Sequence, residues 1–210
     1  MGNRAVITTK ENFENNGVGI YLHWNGGRDS VEAFLKYCEL KQYRTPDNDC
    51  YGWARLCQVI GNFFGGSTSV GIDVVNNLDC DNWDNGVYII EGWKIVDRKY
   101  FDGEEQMNYK LEEMLVDIDN SMPENEQIGE YLQAKEICTS ELEVGNTVLL
   151  MDYNGKVEKH KVVGFGTKDW VNGFNACGVP YVDKYGDKER GYDWNCNNYI
   201  RTNTVRIVEE

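Results

Sequence analysis

Histidine and proline are nearly missing from this 210-residue chain, which has only His23 and His160, and only Pro46, Pro123 and Pro180. With two histidines, a Cys/His zinc site has little to build on. The seven cysteines, Cys38, Cys50, Cys57, Cys80, Cys138, Cys177 and Cys196, never form a C-x-x-C pair, so zinc-ribbon spacing is absent too. Neither a metal nor a cofactor is expected. No apolar run approaches the roughly 18 residues that a membrane span requires. The opening Met1-Gly2-Asn3-Arg4 leads into a strand-like run without a signal-peptide pattern, and Val6 does not complete a myristoylation motif. The expectation is a cytoplasmic protein with reduced thiols, in which Cys38 and Cys57, on apolar helical faces, are core residues.

A basic footprint is also missing, which argues against a general nucleic-acid binder. The formal charge is −14, and its placement is uneven. Residues 1–100 carry a net −3, residues 144–210 are neutral, and residues 101–143 hold 13 acids against Lys110 and Lys135, a net −11. An acidic face of this kind suits a basic partner, including the nucleic-acid-binding surface of another protein. Its plainer reading is a solvated helix that keeps the chain soluble.

Apolar residues make up 41% of the chain and aromatics 12%, enough for a folded core. In chain order, residues 4–9 read as a strand, 11–17 as a turn around Asn15-Asn16-Gly17, and 18–24 as a central strand. Val31, Phe34, Leu35 and Cys38 recur at helical spacing, with Asp29 and Glu32 resembling a capping box. A second helix is expected over 52–64, stopped by Gly65-Gly66. Strands over 69–75, 87–90 and 93–100 complete a β-β-α-α-β-β-β pattern. An amphipathic helix is expected over 104–120, with Met107, Leu111, Met114, Leu115 and Ile118 opposite Glu112, Glu113 and Asp117. A shorter helix follows around 124–135. From residue 143, short strands and the turn at Asn154-Gly155 look like a small SH3-like barrel, interrupted by a Gly-, Asn- and aromatic-rich insertion over 166–198. The expected fold class is therefore α+β. It comprises a mixed N-terminal domain (1–101), an acidic helical segment (102–142) and an SH3-like β domain (143–210).

The densest chemistry lies in the strand-to-helix turn His23-Trp24-Asn25-Gly26-Gly27-Arg28-Asp29. Gly26 and Gly27 before a helix can bring backbone N–H groups to an anion, and Arg28 can pair with a phosphate. His23 can act as a general base, positioned by Asn25 and Asp29, or by Asp73 if its strand is a neighbour. The turn is not a P-loop, lacking Gly-Lys-Ser/Thr, nor a dinucleotide fingerprint, lacking the third glycine. The competing reading is a capped helix with His23 hydrogen-bonded in the core. Residues 79–86 resemble a calcium loop, but Trp83 and Asp84 stand where an oxygen ligand and glycine belong, so a hairpin at Asn85-Gly86 is expected instead. His160, between Lys159 and Lys161, is expected to be exposed. Tyr185, Arg190, Tyr192 and Trp194, with further interleaved basic residues, form a candidate contact surface that can stack bases; the bland alternative packs them on the barrel.

The segment Tyr21-Leu22-His23-Trp24-Asn25-Gly26 is similar to a Tyr-x-His-Trp-Asp/Asn-Gly strand-turn. That motif occurs in small, mostly uncharacterised accessory proteins of phages and conjugative elements of Gram-positive bacteria. Tyr51-Gly52-Trp53-Ala54-Arg55-Leu56 looks like part of the same family. The resemblance spans about the first 100 residues and supplies no catalytic residues. It implies a setting that includes anti-CRISPR and antirestriction proteins. The leading expectation is an inhibitor that binds a host nucleic-acid-handling defence protein or its guide RNA. Two others stand beside it: a phosphodiester-cleaving or nucleotide-processing enzyme using His23, Arg28, Asp29 and Asp73, and a phage assembly adaptor.

Overall fold

The computed structural model describes residues 2–47, 49–152, 155–167, 177–183 and 199–208. It is a mixed α+β protein that divides into two compact units, 1–129 and 130–210. The acidic segment is shared between them.

The first unit is built on a five-stranded sheet in the order β3-β2-β1-β4-β5. Its strands are β1 (Ala5–Thr9), β2 (Val18–Leu22), β3 (Val70–Val74), β4 (Val87–Glu91) and β5 (Lys94–Lys99). Pairing is antiparallel throughout except between β1 and β4, which run parallel with Val6 opposite Val87. Every residue of β1 is buried, because both faces of the sheet are covered there. One face presents Val6, Val87 and Ile89 to Phe13, Leu78 and Cys80. Phe13 comes from a short helix, α1 (Lys10–Glu14), where a turn was expected; Thr9 caps it by accepting from the Asn12 N–H. The other face presents Ile7, Ile20, Leu22, Tyr88 and Ile90, all at most 1% exposed.

Three helices, α2 (Arg28–Leu40), α3 (Cys50–Phe63) and α4 (Leu111–Ser121), pack on one another, and α2 also meets β5. Phe34 of α2 meets Phe63 edge-on at 5.2 Å. Burial of Met114, Leu115 and Ile118 holds α4 in place, and the carboxylate of its buried Asp119 accepts from the Tyr37 hydroxyl (2.6 Å) and the Ile128 N–H (2.8 Å).

Three sequence expectations change here. The helix expected from 104 starts at Leu111, and residues 102–110 form an extended strap instead. The Asn85-Gly86 hairpin does not form, because β3 and β4 sit on opposite sides of the β2–β1 pair. The Asp29–Glu32 capping box is absent: Gly27 is the N-cap, without a side-chain bond.

The second unit is a five-stranded antiparallel sheet in the order β6-β10-β7-β8-β9. Its strands are β6 (Lys135–Cys138), β7 (Thr147–Met151), β8 (Val157–Phe165), β9 (Pro180–Val182) and β10 (Thr204–Ile207). The expected helix over 124–135 contracts to a 3-10 turn, Glu124–Glu126, and α5 (Gly129–Gln133), since Ile137 is drawn into β6 opposite Val205. Leu142, Val148, Val162, Val182, Ile200 and Val205 form its core. Among the described residues β6 and β9 remain edges and no barrel closes, although a single bridge joins Tyr181 to Tyr199. His160 is buried beside Val162 rather than exposed, because position 160 shares the inward face of β8; its Nδ1 lies 3.2 Å from Asp183.

Candidate functional site

At the end of β2 the chain turns through Asn25, whose φ of 53° is a left-handed conformation that asparagine tolerates. The glycines that follow answer a packing need. A Cβ on Gly26 would stand 2.7 Å from backbone atoms of Asn3, Arg4 and Ala5. One on Gly27 would stand 2.9 Å from the Gln106 carbonyl. The amides available for an anion are committed as well: Gly26 donates to the Asn3 carbonyl (2.8 Å) and Arg28 to the Gln106 carbonyl (3.1 Å).

His23 is exposed, so the buried-core reading does not hold. Its Nδ1 lies 3.4 Å from the Tyr21 hydroxyl, and its ring meets Trp24, 46% exposed, edge-on at 5.0 Å. The sheet register sets Asp73 opposite Gly19, four positions from His23, or roughly 13 Å along the strand. Asp73 instead accepts from the Val74 N–H (2.7 Å) and the Asn77 amide, partly blunting the edge of β3. Asp29 is 4% exposed and serves the strap: its Oδ2 accepts from the Asn108 and Tyr109 N–H groups, its Oδ1 from the Ser30 N–H (2.6 Å). Arg28 pairs with Glu32 (2.7 Å) and with Glu105 of the strap (3.2 Å). The four proposed catalytic side chains are thus brought to one unit but not to one reaction centre.

The acidic face is exposed as expected. Glu112, Glu113 and Asp117 project from α4, next to Leu111 and Val116, 39% and 38% exposed. The strap adds Met107 and Tyr109, 59% and 49% exposed. Tyr185, Arg190, Tyr192 and Trp194 lie outside the described residues.

Sequence reasoning missed Trp83. It is 91% exposed, with a φ of 60° that bulky side chains rarely adopt. The loop beneath it is closely hydrogen-bonded. Asn82, fully buried, accepts from the Asp84 and Gly86 N–H groups and donates to the Asp79 and Gly86 carbonyls. Arg4 Nε donates to Asp84 (2.6 Å) and Nη1 pairs with Asp79 (3.5 Å), so a guanidinium takes two of the carboxylates that suggested a calcium ligand set. The Asp84 hydrogen bond raises the Arg4 pKa further above its ordinary value. The signal for Trp83 was a tryptophan set among three aspartates, Asp79, Asp81 and Asp84.

A shallow cleft of about 270 Å³ in the second unit is lined by Glu130, Gln133, Lys135, Leu149 and Ile207. Among the described residues no three His, Cys, Asp or Glu side chains gather as metal ligands would, and no helix is long and apolar enough to cross a membrane. No family model matches the chain, and neither a curated protein nor a solved structure does.

Proposed function

We propose that this protein acts by binding, as a mobile-element accessory protein that engages and inhibits a nucleic-acid-handling defence protein of its host, or that protein's guide RNA, in the cytoplasm. Such an inhibitor would be anti-CRISPR-like or antirestriction in kind. The observation that carries the reading is Trp83. An almost fully exposed tryptophan, in a strained conformation and on a closely hydrogen-bonded loop, costs the free protein stability. Buried aromatic anchors are the residues that dominate interface energies. Asp79 and Asp81 beside it, and Glu112, Glu113 and Asp117 on α4, favour a partner whose apolar pocket is rimmed by Lys and Arg. The curl begun by the Tyr181–Tyr199 bridge supports an SH3-like barrel in the second unit, a shape suited to a further contact.

The test uses the full chain as bait in host lysate, read for both protein and RNA. It is run beside Trp83→Ser and beside a variant with Glu112, Glu113 and Asp117 reversed to Lys. A nucleic-acid-handling partner retained by the wild type and lost from both variants is expected. The same captured set from all three would sink the reading. Catalysis through His23 has less support, because no carboxylate pairs with that histidine among the described residues.

A further inference from the structure

The strap over residues 102–110 lies against the N-terminus of α2 and makes the contacts an anionic ligand would make. The Gln106 carbonyl takes the first free N–H of the helix, that of Arg28. The Glu105 carboxylate sits between two arginines, 3.2 Å from Arg28 Nη1 and 2.7 Å from Arg98 Nη1. Arg98 is well placed to hold an anion: its guanidinium stacks 3.8 Å from the Tyr88 ring and 3.9 Å from that of Phe101. Another of its donors reaches the Asn85 carbonyl.

Glu105 fills this site incompletely. Both of its oxygens go to the same nitrogen, Arg98 Nη1, at 2.9 and 2.7 Å, rather than bridging the guanidinium fork. Arg98 Nε is left buried and without a partner. So is the hydroxyl of Tyr88, a residue 0% exposed. Because the Arg98 guanidinium lies 3.8 Å over the Tyr88 ring, that hydroxyl stands at the rim of the same guanidinium that Glu105 meets. A buried hydroxyl without a hydrogen bond is costly to the folded state, so an empty valence here, beside a stacked arginine, points to a ligand.

We propose that Glu105 and Gln106 are internal stand-ins for a phosphoryl group, and that the protein binds one at Arg28, Arg98, the Tyr88 hydroxyl and the Arg28 N–H when the strap lifts. A tetrahedral oxyanion has enough oxygens to take Arg98 Nη1 as Glu105 does while also reaching Arg28 and the Tyr88 hydroxyl, which a planar carboxylate does not. At neutral pH it carries roughly −1.5 to −2 against the single charge of Glu105, and the two guanidinium groups of Arg28 and Arg98 balance it beside Asp29 and Glu32. The strap has no regular secondary structure, and apart from residue 106 it is exposed, so little apolar burial opposes its release.

The phosphoryl group can come from free phosphate or from a phosphate ester, and two titrations separate these. Inorganic phosphate and adenosine monophosphate are each titrated calorimetrically into the full chain at matched ionic strength. Wild type, Glu105→Gln, and Glu105→Gln combined with either Arg28→Gln or Tyr88→Phe are compared. Removing the internal competitor is expected to tighten phosphate binding about threefold, since the binding-competent form is more easily uncovered. Each second substitution should cancel most of that gain, and Tyr88→Phe tests the site even if the arginine variant folds poorly. Tighter binding of the monophosphate identifies an ester as the ligand, and equal binding identifies free phosphate. Glu105→Gln binding neither probe more tightly than wild type overturns the proposal. So does a gain that survives Tyr88→Phe.

Discussion

Two irregular segments of the first unit, the loop over 79–86 and the strap over 102–110, are held by opposite means. The loop is organised around Asn82, fully buried, whose amide makes four hydrogen bonds to the loop's own backbone. The strap is held by charge: the Asp29 carboxylate on two backbone N–H groups, and Glu105 between Arg28 and Arg98. The Asn82 network is neutral and buried, so it is insensitive to salt and has no competitor in solution, and the Arg4 pairs to Asp84 and Asp79 only add to it. Partly exposed ion pairs are screened, and a dissolved anion can replace one partner. The loop is therefore suited to present a side chain in a fixed pose, and the strap to be displaced.

The largest effect is expected from Asn82→Ala. Stranding several buried backbone groups should cost about 3 kcal/mol, read as a lower urea midpoint at constant slope. A cost below 1 kcal/mol would mean that the loop is not braced by Asn82. Asp29→Asn should cost about 2 kcal/mol, since an amide oxygen is a weaker acceptor for three N–H groups than a carboxylate. Hydrogen exchange should quicken at Asn108 and Tyr109 while the Asp84 and Gly86 amides keep their rates. Equal acceleration in both segments would erase the contrast.

Burial pushes the Tyr37 and Tyr88 phenols above their ordinary range, and for Tyr37 the Asp119 carboxylate adds to this. Their protonated forms are then favoured in the folded state. The stability they contribute is intact below the unfolded value near pH 10 and lost as pH rises beyond it. Each should cost up to about 1.4 kcal/mol per pH unit there, so Tyr88→Phe should visibly flatten the fall in Tm between pH 10 and 11. An unchanged alkaline slope would argue that the phenol is not buried in solution.

Glu105→Gln should cost only about 0.5–1 kcal/mol, because the pairs it breaks are partly exposed, and 0.5 M salt should shrink that difference. The smallest change runs the other way. Trp83→Gly should stabilise the free protein by about 0.5 kcal/mol, since it relieves a positive φ and removes no packed surface. A destabilised glycine variant would show that Trp83 is packed after all.

Much of the fold was legible because it follows period. The apolar spacing of α2 and α3 marks helices, and the continuous apolar runs of β1 and β4 reflect burial on both sheet faces. The same rule, applied to β8, assigns His160 to the inward face with Val162, against the impression left by its two lysine neighbours. What period cannot reveal is where distant groups intervene. Residues 104–110 have helical spacing, yet Asp29 takes the N–H groups of Asn108 and Tyr109 and Arg28 takes the Gln106 carbonyl, so the helix cannot start before Leu111. β6 exists only through its pairing with β10, because Ile137 alone sets no pattern. In the candidate site, the residue types around Gly26 and Gly27 signalled close backbone approach correctly. The thing approached is the chain itself. For Trp83 the surrounding aspartates were the only sequence signal, because its exposure depends on Arg4 and Asn82 organising the loop below it.

The parallel pairing of β1 with β4 has a consequence for biogenesis. β1 meets β2 within a dozen residues, but Val6 must wait for Val87, about eighty residues later in synthesis. At ribosomal rates that is on the order of ten seconds, during which the Ala-Val-Ile edge of β1 is bare. The nascent chain at that stage is a three-stranded β3-β2-β1 fragment with an unpaired apolar margin. Its yield in a cell should depend on translation speed and on chaperones that shield strand edges, more than on the stability of the finished protein.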